Sequence, residues 1–115
     1  MKNHEVIVSN YGFREGDAFT GLRGEITGEI MVKPPIRPGD PFYDAVFGSD
    51  PRGVDLDLVK STREHTLFIA GVREGEGRDR KFYEDTIGEV AARIKRIADK
   101  PSEATQMLGE KPFSK

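Results

Sequence analysis

Two hexapeptides in this chain carry the same chemistry at the same spacing: GFREGD at 12–17 and GVREGE at 71–76 share four identities. Each follows an apolar run, and each offers a guanidinium (Arg14, Arg73) between glycines and next to carboxylates. A guanidinium is a planar fork of donors that fits a carboxylate or a phosphate. The second copy continues as REGEGRDRK (73–81), adding Arg78, Arg80 and Lys81 at the point where a helix is expected to begin. Free backbone N–H groups and the helix dipole attract anions there. The candidate ligand-binding residues are therefore Arg14, Arg73, Arg78 and Arg80, and the expected ligand is a small anion.

Competing readings use the same residues. Glu74, Glu76 and Asp79 offset most of the loop's positive charge, and a solvated Gly-rich connection with local ion pairs is the simpler reading of this loop. The spacing is neither that of a P-loop nor a complete GxGxxG, so no nucleotide or other cofactor is specified. TGEI (27–30) and IGEV (87–90) stand at nearly the same offset as the hexapeptides, which raises the question of a duplicated fold. The first lies in a period-two segment and the second in a helical one. Structural repeats do not exchange strand for helix, so duplication is disfavoured.

Other reactive groups are sparse. His4 and His65 each precede an apolar strand, but two imidazoles without further ligands do not make a metal site, and none is expected. Asp55 and Asp57, with Asp50 nearby, could bind a hard cation or act as a carboxylate pair; alternating acids also mark the solvent side of an edge strand. The chain has no cysteine, which removes disulfides, zinc thiolates and thiol nucleophiles. No Ser-His-Asp order stands out, so the catalytic residues are unknown.

Partners follow from charge and hydropathy. Eighteen Lys and Arg against twenty Asp and Glu give a net charge of −2 with no long single-sign block, which leaves nucleic acid without an electrostatic footing. No apolar run approaches the roughly 20 residues of a membrane span. MKNHEVIVSN lacks the apolar stretch of a signal peptide, so a cytoplasmic protein is expected.

The elements that must position these groups read as α+β. EVIVS (5–9) is β-branched and reads as a short buried strand ended by Asn10 and Gly12. EITGEIMV (25–32) alternates, with Ile26, Gly28, Ile30 and Val32 on one face. Four prolines in PPIRPGDP (34–41) impose an extended crossover, followed by a short helix over 41–48 that is capped by Asp40 and closed by Gly48. Val54, Leu56 and Leu58 alternate with Asp55 and Asp57 as an edge strand, and TLFIAGV (66–72) is apolar on both faces, as a central strand would be. STREH between them suits a hairpin. Tyr83, Ile87, Val90, Ile94 and Ile97 form one apolar stripe on a helix of about 16 residues, stopped by Pro101. Gly88 interrupts it at a cost of about 1 kcal/mol unless a strand packs close beneath.

The expected architecture is a mostly antiparallel four-stranded sheet, two hairpins joined by the proline-rich crossover with its short helix, packed on the C-terminal amphipathic helix. Residues 1–100 form the single domain and 101–115 a tail. One helix covers one sheet face, so the other, carrying Leu67 or Phe68, calls for a second copy of the chain, as a homodimer or higher oligomer. The function expected is a small non-enzymatic binding or assembly module with an anionic ligand at the Gly/Arg-rich loop. The alternative is a small oligomeric enzyme whose intersubunit site combines Arg14 or Arg73 with Asp17 or Asp55.

Overall fold

The computed structural model describes residues 3–19, 21, 23–36 and 53–100 of the chain. Strands β1 (Glu5–Arg14), β2 (Glu25–Lys33), β3 (Val54–Ser61) and β4 (Thr66–Arg73) precede one helix, α1 (Arg80–Asp99). They form one sheet of order β1-β2-β4-β3, antiparallel at every junction. The fold is thus the α+β arrangement of two hairpins and a C-terminal helix, with β4 central and β3 at an edge. The expected short helix over 41–48, the crossover beyond Ile36 and the tail 101–115 lie outside the described residues. No described helix is long and apolar enough to cross a membrane.

The core lies between one sheet face and α1. Ile30 and Val32 of β2, Phe68, Ala70 and Val72 of β4, and Val54 and Leu56 of β3 meet Tyr83, Ile87, Val90, Ile94 and Ile97 of the helix. All five residues of the helical stripe are buried. Full burial of a side chain such as Ile87 or Ile94 is worth about 1.5–3 kcal/mol. Asp79 caps the helix by accepting from the Phe82 amide at 2.8 Å. The helix spans 20 residues rather than about 16, because it starts at Arg80. Arg80 and Lys81, unfavourable at the positive end of the dipole, are each held by an acid at i+4, Glu84 and Asp85.

Two local readings are corrected. The first strand does not end at Asn10: Asn10 takes φ 52°, the register slips between Ser9 and Gly12, and pairing resumes through Arg14. Asparagine tolerates that left-handed turn, and its amide donates to Glu29 on the neighbouring strand at 2.9 Å, so the chain bulges without leaving the sheet. Nor is this strand buried. It is an edge, with Val6 and Val8 half-buried and Ile7 39% exposed. The opposite edge, β3, also carries a bulge, at Val59 between the Leu58 and Lys60 pairings. Such irregularities discourage edge-to-edge pairing of sheets.

Candidate functional site

The two hexapeptides end two strands that flank β2. Since β1 and β4 are both antiparallel to β2, their ends lie side by side: Gly12 and Gly71 both pair with Thr27, and Arg14 and Arg73 both pair with Glu25. All these residues occupy the sheet face opposite the helix, by the two-residue alternation of side chains. The repeated sequence is therefore neither a duplicated fold nor two unrelated turns. It is one row of matched positions, with a carboxylate bracketed by two arginines.

Arg14 spans much of that row. Its Nη2 is hydrogen-bonded to Glu25 Oε1, and its Nη1 reaches Asp57 Oδ2 on the far edge strand at 3.3 Å. Crossing the sheet requires clearance over β4, and Gly71 supplies it. A Cβ at Gly71 would stand 2.8 Å from Glu25 Oε1 and 3.0 Å from Arg14 Nη2. The missing side chain is thus the gap in which this ion-pair strap lies.

The strap alters the acidity of its members. Partial burial disfavours the Arg14 charge, but Glu25 and Asp57 outweigh it and the guanidinium is held more firmly protonated. Glu25 goes the other way. Burial first, then the neighbouring Asp55 carboxyl, push its pKa above the ordinary glutamate range despite the opposing pull of Arg14. Glu25 therefore retains a proton more readily than a surface glutamate, beside a fixed cation.

Around the strap lies an open cavity of about 550 Å³, lined among others by Asp17, Arg23, Asp55 and Arg73. Arg73 is fixed through its backbone, whose N–H donates to Gly53 O at 3.1 Å. Arg23 and Arg73 both line this cavity, and neither forms an ion pair with a described residue. Asp55 and Asp57 are exposed, as on the solvent side of an edge strand, yet they form one wall of the cavity.

Of the four arginines singled out in the sequence, Arg14 and Arg73 come together and the other two do not join them. Arg78 turns back, donating to Arg73 O at 2.7 Å and lying over the Phe82 ring at 4.9 Å. Arg80 is engaged with Glu84 at 2.9 Å. With Asp79 capping the helix, the amide of Phe82 at the helix N-terminus is already taken by the protein's own carboxylate. Sequence reasoning missed Arg23, Glu25 and Gly71. The signal was present in the G-x-R repeat itself, once both copies are read as strand ends and not as loops.

The histidines do not form a site. His4 gives both its backbone N–H (2.6 Å) and its Nδ1 (3.1 Å) to Asp99 Oδ1 at the helix end. His65 closes the β3–β4 turn, where its backbone oxygen accepts from the Thr62 amide at 2.8 Å. No group of three or more His, Asp or Glu side chains among the described residues could hold a metal ion. Comparison of the chain with protein-family models, curated proteins and solved structures finds no match.

Proposed function

We propose that the protein is a small cytoplasmic binding module whose site is the cavity at the Arg14–Glu25–Arg73 row, and not the helix-entry loop. Arg23 and Arg73 take a carboxylate or phosphate of a small ligand. Glu25 and Asp55 face the rest of that ligand and accept hydrogen bonds from it. The observation that carries this reading is the register of the two hexapeptides, which brings Arg14 and Arg73 to either side of one glutamate in a cavity large enough for a metabolite.

A thermal-shift panel of phosphorylated and carboxylated metabolites tests it. A ligand at about 100 times its Kd adds roughly 2.7 kcal/mol to the folded state and raises the melting temperature. The account expects at least one compound to do so for the wild type and for Arg80→Ala, but not for Arg73→Ala. A panel without effect, or equal loss in both variants, contradicts it.

An enzymatic reading, with the second subunit completing the site, is favoured by the raised pKa of Glu25 beside Arg14. A carboxyl whose pKa is shifted upward is better matched to proton transfer than a surface glutamate. Conversion of a bound compound that is lost in Glu25→Gln with binding retained decides for the enzyme.

A further inference from the structure

The charges around the cavity decide what kind of anion it takes. Among the described residues that line it, Arg14, Arg23 and Arg73 supply the positive charge. The acids are more numerous: Glu15, Asp17, Glu25, Asp55 and Asp57. Arg14 is occupied by Glu25 and Asp57, so Arg23 and Arg73 stand against Glu15, Asp17 and Asp55, and the negative excess persists even with Glu25 protonated. A simple phosphate or carboxylate would be drawn by two arginines and repelled by the acids around them. A bare metal ion would meet the guanidiniums, and no group of three or more His, Asp or Glu side chains among the described residues could hold one.

The two signs are also kept apart within the cavity. Asp55 pairs with Gly71, and Arg73 lies two residues further along the same strand, so cation and carboxyl are diagonal neighbours on one sheet face. Backbones at such positions are about 7–8 Å apart. The Arg73 side chain lies along Gly53, where an added Cβ would stand 3.3 Å from its Cβ and 3.7 Å from its Cζ. Arg23 belongs to the same end, because Gly24 O beside it accepts from the Glu74 amide at 2.8 Å. Glu25 joins Asp55 at the other end, its Oε1 reaching over Gly71, the residue that pairs with Asp55. The two carboxyls are close enough that Asp55, after burial, is the next cause of the raised Glu25 pKa. Neither Arg73 nor Asp55 forms an ion pair with a described residue, although both line the cavity.

From these two poles we infer that the ligand is a zwitterion, a small molecule whose carboxylate or phosphate goes to Arg23 and Arg73 and whose ammonium is held by Glu25 and Asp55. This rests on the cavity being the binding site. It gives both signs of the lining a partner, and it makes the amine the group by which the site tells its ligand from other small anions.

Calorimetric titration of the full chain with matched pairs of compounds tests it: β-alanine beside propionate, glutamate beside glutarate, phosphoethanolamine beside ethyl phosphate. At least one amine-bearing member should bind the wild type about tenfold more tightly than its analogue, the effect of one charge-assisted hydrogen bond. Asp55→Asn, at an exposed position of the edge strand, should remove that preference while the analogue binds no more weakly than before. Analogues that bind the wild type as tightly as the amines overturn the zwitterion and leave the anion site standing. So does an Asp55→Asn variant that weakens both members of a pair alike. Absence of binding by every compound removes the site reading and this inference with it.

Discussion

At the scale of single residues, the site depends on an absence. The strap from Arg14 to Asp57 needs the empty position at Gly71, and an alanine there presses on the flexible ends of Glu25 and Arg14 and not on backbone. Gly71 is not in the left-handed region, so Gly71→Ala should keep the fold and shift the melting temperature only slightly, while displacing both side chains. Glu25 has a titration of definite sign. Its pKa is raised in the folded protein, so the folded state binds the proton more tightly and stability falls as pH rises through the glutamate range. Melting curves across that range should show this loss in the wild type and not in Glu25→Gln. None of this was legible residue by residue. Glu25 reads as an ordinary solvent-side residue of an alternating strand, and only the pairing of β2 with both hexapeptide-bearing strands reveals its neighbours.

Elements were more legible than contacts between them. Helical periodicity marked Tyr83, Ile87, Val90, Ile94 and Ile97, all buried, because burial of one face is what a period of 3.6 encodes; it did not mark Thr86, Ala91 and Ala98, which are buried beside them. Ile94 is fully buried, and Ile94→Ala should cost about 2–5 kcal/mol in chemical denaturation. Close approach of helix and strand occurs at Gly28 of β2, where an added Cβ would stand 3.2 Å from Ile87; nothing lies within 4 Å of one at Gly88. Gly88 is thus an uncompensated helix glycine, and Gly88→Ala should raise stability by about 0.5–1 kcal/mol. The helix end is tied to β1 through Asp99. Lys95 at 2.7 Å, together with the His4 backbone amide, holds Asp99 at about 2, below its ordinary 3.8. A depressed pKa contributes stability that is complete above 3.8 and is lost as pH falls towards 2. Wild type and Asp99→Asn should therefore differ in melting temperature at neutral pH and converge near pH 2. The bulge at Asn10 escaped the sequence reading because asparagine signals a turn whether the chain leaves the sheet or merely kinks within it.

At the scale of the whole molecule, the two faces of the sheet divide the work. One is sealed by α1; the other carries the charged row and the cavity, and both proposals concern it. That a second face would need a use was readable from β4, apolar on both sides. Which side chains point there was not, because register decides it and register is set by long-range pairing. Melting temperatures of wild type and Gly71→Ala, each with the panel of small phosphates and carboxylates, test the role of that face most directly. The account predicts a compound that stabilises the wild type more than the folded variant, in which Glu25 and Arg14 are displaced while Arg23 and Arg73 stay. Equal stabilisation of both proteins would contradict it.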